Sequence, residues 1–360
     1  MGTETIMSRI QAGGIRKWLS GYGFIIIFLG IFLAYVIISG GALTANGVLN
    51  ILRHSAVVGL MSFGMGLVIL TGGIDLSVGS MLALVGGFSV DVYNATNNVW
   101  LTLAFALVAG ALCGFVNGFL VGIAKMPPFI VTLATMLIFR SICLYYLRTQ
   151  GKSIYSLDGT LSSYKGFYGF GQGFLLGIPN SGWVLVAVTV VMVFLCVSTK
   201  YGKAVYAIGS NEKAARLAGI NIDWIRVSVF VITGVLTGLA AFLWLAMNGS
   251  VDAATVGRSN EMYAIAAVVI GGISMAGGKG KILGVLFGTM SYTIIDKIIA
   301  SAGFDALIND AIKGSILIVA VLVQIVIPKI RGRARRDTGA PARPVPDAGV
   351  PEAGPPPAVE

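Results

Sequence analysis

The feature that most constrains this chain is a series of about ten apolar segments, each close to the length that crosses a bilayer. A membrane-spanning helix needs roughly 20 apolar residues, so the shorter segments must be untilted or broken. The segments are 22–40, 55–71, 78–95, 99–124, 128–147, 182–199, 225–247, 262–276, 282–300 and 311–327. The sequence therefore predicts an all-α fold, a polytopic transmembrane helical bundle with some short or broken helices.

Composition agrees with a chain that lies in a lipid bilayer. Apolar residues make up 56% of the sequence and charged residues 11%, with a mean hydropathy of +0.88, whereas soluble domains carry about 25% charged residues. The 49 glycines suit closely packed membrane helices. The net charge of +10 sits beside the ends of the segments and in the C-terminal tail, so we expect no nucleic-acid partner.

The distribution of basic residues predicts the orientation. If the N-terminus is cytoplasmic, the outer connections hold five of the 25 basic residues and the spans hold three, which leaves 17 for the inner side. Because cytoplasmic connections retain Lys and Arg, both termini are predicted to be cytoplasmic. The chain then divides into a cytoplasmic segment, 1–21, a transmembrane domain, 22–327, and a C-terminal part, 328–360. This last part begins with a basic membrane anchor and continues as a disordered Pro/Ala-rich tail.

Motifs for catalysis, cofactors and metals are missing from the sequence. The run Gly277-Gly278-Lys279-Gly280-Lys281 lacks the Ser or Thr and the glycine spacing of an ATP-binding loop. The single histidine, His54, cannot form a metal cluster or a catalytic pair alone, and the three cysteines fall inside apolar segments. We therefore predict no enzyme activity, no cofactor and no metal ion in this chain.

A glycine-rich turn between two spans holds a carboxylate. Asp75 and Ser77 follow Gly72-Gly73 and precede a span, so both can accept hydrogen bonds from the free amides of a helix N-terminus. A carboxylate at this depth also marks a functional candidate, and Asp75 could line a permeation path or form part of an inner gate. These two roles are compatible. Asn117, in the middle of a span, could bond a neighbouring helix or line the same path.

The inner connection 200–224 is predicted to hold a short helix between two spans. Ser210 can cap this helix and Gly219 can end it. It is either an ordinary solvated connector or a docking helix for a cytoplasmic partner.

The segment 68–74 resembles 268–274, since each precedes a glycine-rich turn and a further span. This similarity is consistent with a parallel repeat of about 200 residues in a duplicated transporter, or with coincidence in a glycine-rich chain.

Four stretches together resemble the permease subunits of bacterial ATP-binding-cassette importers for monosaccharides, the group of the ribose, xylose, arabinose and galactose permeases. The stretches are 66–80, 128–136, 206–220 and 264–272, and their order and spacing match over roughly residues 20–327. Where such permeases usually carry Gly-Gly-Asn, this chain has Gly209-Ser210-Asn211.

The resemblance implies a transport subunit of the bacterial inner membrane that works with three partners. A cytoplasmic ATP-binding subunit would hydrolyse ATP and dock on the 208–220 helix. A periplasmic sugar-binding protein would deliver the sugar, and a second permease copy or a paralogue would complete the pathway. The residues expected to couple to the ATPase are Asn211, Ala214, Ala215, Arg216 and Gly219.

A sugar needs a path that is polar but uncharged, which singles out Ser77, Asn117, Thr132 and Thr135 as wall residues, with Asp75 at the gate. Three alternatives remain open on the sequence. The same class of importer could carry a nucleoside or a branched-chain amino acid, the chain could be a self-sufficient secondary carrier, or it could be a membrane scaffold.

Overall fold

The computed structural model describes residues 22–39, 45–151, 154–303 and 308–337. The predicted N-terminal segment 1–21 and the Pro/Ala-rich tail after Asp337 lie outside these residues. The chain forms two compact units, one that ends at Val321 and one that begins at Leu322. In its described part the second unit is the C-terminal portion of a single helix.

The described chain is mainly helical. Its helices are α1 (Tyr22–Ile38), α2 (Ala45–Leu70), α3 (Val78–Thr96), α4 (Val99–Gly122), α5 (Pro128–Thr149), α6 (Tyr164–Gln172), α7 (Asn180–Ser198), α8 (Lys200–Ser210), α9 (Glu212–Leu217), α10 (Ile222–Asn248), α11 (Asn260–Ile270), α12 (Leu283–Ser301) and α13 (Asn309–Asp337). Four short strands accompany them: β1 (Ile154–Ser156), β2 (Phe174–Leu175), β3 (Ile178–Pro179) and β4 (Ser250–Asp252). These strands are additions to the predicted all-α bundle.

Seven of the described helices are long and apolar enough to cross a membrane. They are Gly47–Leu70 within α2, together with α3, α4, α5, α7, α10 and α12. Two further apolar helices, α1 and α11, are shorter. With 11 residues, α11 is only about 16 Å long, so the segment predicted as the span 262–276 forms a half-length helix. The polytopic helical fold is confirmed, while ten crossings and cytoplasmic termini stay predictions.

The main helix pair of the bundle, α4 and α10, packs through glycine. Four buried glycines repeat at every fourth position of α4: Gly110, Gly114, Gly118 and Gly122. A Cβ atom at Gly110 would overlap the carbonyl oxygen of Gly234, and one at Gly114 would overlap that of Phe230. Because no side chain separates them, the two backbones lie in direct contact, as small-residue motifs allow in membranes.

The two ends of the bundle have different structures. At one end, which we call the strand end, β1 pairs antiparallel with β4, and Tyr155 lies opposite Val251. Residues 154–179, between α5 and α7, contact the bundle there: Asn97 accepts hydrogen bonds from Ser163 N and Oγ, at 3.2 and 2.6 Å. The opposite end, which we call the α9 end, holds α8, α9 and three glycine-rich or proline-rich turns.

The two segments predicted to be a repeat have the same backbone conformation. Gly72 and Gly272 both have left-handed φ angles, +85° and +83°. The amide of Gly73 donates to Val68 O at 3.0 Å, and that of Ile273 donates to Val268 O at 3.2 Å. Helices α2 and α11 therefore end in the same six-residue turn, exactly 200 positions apart, which supports the predicted parallel repeat.

Candidate functional site

The loop 71–77, between α2 and α3, lies at the α9 end of the bundle. Helix α2 stops at Leu70 because Gly72 adopts a left-handed conformation that a residue with a Cβ atom seldom takes. The chain then runs through Gly73, Ile74 and Asp75 without helical structure, and α3 begins at Val78. This irregular loop sits between two helices that are both long enough to span a membrane.

The structure brings three of the predicted path residues into one hydrogen-bonded chain. Asp75 Oδ1 accepts from the backbone amide of Ser77 at 2.9 Å and from Ser77 Oγ at 2.6 Å. Ser77 Oγ in turn accepts from Asn117 Nδ2 on α4 at 2.8 Å. All three side chains are fully buried. Asp75 thus holds Ser77, the residue just before α3, and Ser77 joins this position to α4. The predicted capping is not seen in this form, because Ser77 is the N-cap residue of α3 and its side chain accepts no hydrogen bond from the helix.

Thr132 attaches α5 to the same loop, and Thr135 does not. Thr132 Oγ1 lies 3.2 Å from Ile74 O and 2.9 Å from Pro128 O, and it is fully buried. Thr135 Oγ1 lies within hydrogen-bond distance of Val131 O and Thr132 O, both in its own helix. Four of the five predicted residues therefore meet at loop 71–77, and Thr135 lies one turn further along α5.

Two oxygens of this cluster have no hydrogen-bond partner within the described chain, namely Asp75 Oδ2 and Asn117 Oδ1. Such buried acceptors are uncommon in proteins and call for an explanation. Asp75 lies outside the spanning helices, and burial raises its pKa to about 6, against the smaller, opposite effect of the Ser77 hydrogen bonds. The cluster offers an acidic group and an amide with free acceptor capacity.

The predicted helix of the inner connection is divided into two helices. Asn211, rather than Ser210, caps α9: its Oδ1 accepts from Ala214 N at 3.1 Å, while its own amide closes the last turn of α8. The prediction for Ser210 is corrected because the helix already includes that residue. Gly219 ends the turn after α9 with φ +77°, as predicted, and Ile220 N donates to Ala215 O at 3.1 Å.

The predicted coupling residues lie on different faces of α9. Ala215 is buried against Ile208 and Ile222, so it holds the helix in place, while Asn211, Ala214, Arg216 and Gly219 are exposed. Leu217 is 91% exposed on a helix that is not itself a spanning segment. Together with the exposed Ala214 and Ala218 it forms a small apolar surface, which makes Leu217 a candidate contact. The sequence analysis did not place Leu217 among the site residues.

Five charged side chains bind α9 to its neighbours. Arg226 at the start of α10 contacts Glu212 at 2.7 Å, and Arg216 lies 3.7 Å from both Glu212 and Asp223. Lys125, in the turn between α4 and α5, pairs with Asp223. The hydrogen bond from Arg226 holds the pKa of Glu212 below its usual value. The sequence analysis selected only Arg216, because these partners come from three separate segments.

A cleft of about 340 Å³ separates loop 71–77 from this charged cluster. Gly72, Gly73 and Pro128 line one side, and Lys125, Glu212 and Arg226 line another. The candidate gate and the candidate coupling helix thus face the same space at the α9 end. No group of three or more metal-ligating side chains occurs anywhere in the described parts of the chain.

A charged side chain within α5 holds an irregular segment of the bundle. Arg140 Nη1 donates to the carbonyl oxygens of Ala253 and Val256, both at 2.7 Å. These carbonyls belong to the non-helical connection between β4 and α11, which reaches far enough into the bundle for Gly257 to contact Gly79 in the first turn of α3. Arg140 therefore satisfies backbone groups of an irregular segment inside the bundle.

Comparison with known proteins gives consistent matches. Residues 47–321 match the family described as "branched-chain amino acid transport system / permease component". The ribose import permease protein of Bacillus subtilis is 38% identical over 89% of this chain and 96% of its own length. The fructose import permease protein of Bifidobacterium longum is 35% identical over 79% of each chain, and the xylose transport system permease protein of Haemophilus influenzae is 31% identical over 79% of this chain and 90% of its own. No solved structure matches the chain significantly.

Proposed function

Because the chain belongs to this family of transport-system permease components, we propose that it is the membrane subunit that carries a monosaccharide in an ATP-driven importer. The observation that carries the proposal is the similarity, over most of the chain, to relatives named as permeases for ribose, fructose and xylose. The chain is a multi-pass protein of the inner membrane. ATP hydrolysis resides in a separate cytoplasmic subunit, and no cofactor is bound by this chain.

The buried polar groups favour a neutral sugar over an amino acid. Among the described residues, the buried charged side chains are Asp75 and Lys313, and Lys313 pairs with Asp296 at 2.5 Å. An amino acid needs groups for a carboxylate and an ammonium, whereas a sugar needs hydroxyl and amide groups. Ser77, Asn117 and Thr132 supply such groups in one buried cluster beside loop 71–77. The family description names branched-chain amino acids, so an amino acid is the alternative to test.

The proposal includes three partners, one of which acts at the α9 end. The exposed surface of α9, centred on Leu217, docks the ATP-binding subunit, and the ion pairs of Glu212 and Arg216 hold α9 in position for it. A periplasmic sugar-binding protein delivers the sugar at the opposite end, and a second permease subunit completes the path. Closure of the ATPase pair displaces α9, and loop 71–77 opens or closes the inner end of the path.

Uptake by reconstituted proteoliposomes tests the proposal. Vesicles with this chain, the ATP-binding subunit and the binding protein are supplied with ATP inside and with labelled ribose, xylose, fructose, leucine or a nucleoside outside. We expect uptake of one monosaccharide that requires ATP and both partners. Uptake by the chain alone that an uncoupler abolishes would indicate a secondary carrier. Uptake of leucine alone would assign the amino-acid alternative.

Docking on α9 is tested with two matched substitutions. Leu217→Asp places a charge in the centre of the proposed contact, and we expect the ATP-binding subunit no longer to co-purify with the permease. Leu176, which is 87% exposed at the strand end, provides the control. Its left-handed φ of +52° suits Asp better than Leu, so Leu176→Asp should leave co-purification unchanged. Equal co-purification in both variants would contradict docking at α9.

A further inference from the structure

Three backbone segments meet at one point of the α9 end without side chains between them. They are the end of α2 at Leu70, the end of α8 at Gly209, and the loop 274–280 that leads into α12. Gly278 N donates to Leu70 O at 3.0 Å. A Cβ atom at Gly209 would overlap Leu70 O and would lie 2.5 Å from Gly278 N. We call the contact among Leu70, Gly209 and Gly278 the glycine junction.

Side-chain hydrogen bonds fasten α8 to the loop at the same place. Ser210 Oγ donates to Gly278 O at 3.2 Å, and Tyr206 OH donates to Gly280 O at 3.0 Å. The loop itself turns through glycines with left-handed φ angles, +82° at Gly277 and +65° at Gly278. Residues with a Cβ atom seldom take these angles, so the path of this loop depends on glycine.

The glycine junction lies between α9 and two loops, 71–77 and 274–280. Only Asn211 separates α8 from α9, and Asn211 caps both helices. On the far side of the junction, Leu70 begins the turn that leads to Asp75 and α3, and loop 274–280 leads to α12. Because α8 contacts the backbone of Leu70, just before loop 71–77, and of Gly278 in loop 274–280, a displacement of α9 has a short, stiff route to both loops.

We propose that the glycine junction is the positioning element that transmits movement of α9 to loop 71–77 and to loop 274–280 together. The proposal rests on the function proposed above, since it concerns how ATP hydrolysis drives opening. Gly209 and Tyr206 are positioning residues that lie outside the exposed surface of α9. A side chain introduced at position 209 would separate α8 from Leu70 and from Gly278. It would leave the docking surface on α9 unchanged.

The test compares sugar uptake with ATP hydrolysis in the reconstituted complex of permease, ATP-binding subunit and binding protein. Gly209 has a helical conformation without a positive φ, so Gly209→Ala tests close approach and not backbone strain. We expect Gly209→Ala to retain the ATP-binding subunit and to hydrolyse ATP, while sugar imported per ATP hydrolysed falls by about tenfold. Gly166, in α6 with open space around it, is the control, and Gly166→Ala should keep the wild-type ratio.

Two further variants test the same proposal independently of Gly209→Ala. Tyr206→Phe removes only the bond to Gly280 and should lower the ratio by a smaller factor, even if Gly209→Ala fails to assemble. Ser210→Ala removes only the bond to Gly278 O and should likewise lower the ratio by a smaller factor. Wild-type ratios in both Gly209→Ala and Tyr206→Phe would overturn the proposal. If the wild-type complex itself imports no sugar with ATP, the proposed function fails and not the junction.

Discussion

Asp75 is a buried carboxylate whose two oxygens have different surroundings, because Oδ1 accepts two hydrogen bonds and Oδ2 accepts none from the described residues. Asp75→Asn keeps an oxygen acceptor for Ser77 and removes the charge. Since the pKa of Asp75 is raised from 3.8 to about 6 on folding, ionisation lowers the free energy of unfolding as pH rises through that window. We expect the melting temperature of Asp75→Asn, relative to wild type, to keep rising from about pH 5 to pH 6, the upper part of that window, and to level off by about pH 7.

Asp158 provides a matched control for this prediction. Its Oδ1 accepts from Thr160 N and Oγ1, at 2.8 and 2.7 Å, the same spacing as between Asp75 and Ser77, but in an exposed turn. These hydrogen bonds lower the pKa of Asp158, so its contribution to stability is already complete at neutral pH and is lost only in acid. Asp158→Asn should therefore show a constant difference over the same range. A constant difference in Asp75→Asn as well would contradict the buried charge.

Local sequence signals predicted some of these residues and missed others. Asp75 and Ser77 stood out because a glycine pair and a carboxylate between two apolar segments are unusual, and Asn117 because an amide within a span needs a partner. The hydrogen bond between Asn117 and Ser77, which are 40 positions apart, was not predicted. The sequence only assigned both residues to the same path. The acceptors of Arg140 could not be predicted, because they are backbone carbonyls more than 110 residues away.

At the scale of elements, the α4–α10 pair depends on the absence of side chains along one face of α4. A methyl group at Gly114 would overlap Phe230 O, so Gly114→Ala must push the helices apart, at a cost of about 1–3 kcal/mol. We expect a lower melting temperature and a lower denaturant concentration at the midpoint of unfolding, both measured in detergent. Ala104→Val, on the exposed face of the same helix, adds volume without touching α10 and should leave both values unchanged. Equal effects would mean that close approach of α4 and α10 is not required.

Periodic apolar segments predicted most helices, and tertiary contacts set the details. Each predicted span overlaps a helix of the structure, because length and hydropathy are local properties. The segment 262–276 is the predicted span that shortens most, because glycine at 271 and 272 ends α11 after 11 residues. Helices α2 and α13, in contrast, extend beyond the predicted spans 55–71 and 311–327. The division of 200–220 into α8 and α9 occurs at Asn211, whose side chain accepts from Ala214 N. The sequence alone did not distinguish Asn211 from Ser210 as the capping residue, because both residue types are common N-caps.

At the scale of the whole molecule, the repeat explains why two similar turns occur at the α9 end. Helices α2 and α11 end in the same turn, and Gly278 N, in the loop that follows the second turn, donates to Leu70 O of the first. A match of seven residues in a glycine-rich chain was weak evidence alone. The left-handed glycines and the hydrogen bonds that the two segments share strengthen this evidence. Each segment ends one helix in the same way before the next helix begins.

The distribution of basic residues predicts which side of the membrane the α9 end faces. This orientation can be measured directly. Seventeen of the 25 basic residues belong to segments assigned to the inside, which predicts that α9 lies in the cytoplasm. Leu217→Cys and Leu176→Cys put exposed thiols at opposite ends, while Cys143 and Cys196 are buried. With a membrane-impermeant maleimide on intact spheroplasts, we expect labelling at position 176 at once and at position 217 only after permeabilisation, with unsubstituted protein as background. The reverse labelling pattern would place α9 on the outer side of the membrane. A cytoplasmic ATPase could not contact it there, so ATP hydrolysis could not displace α9.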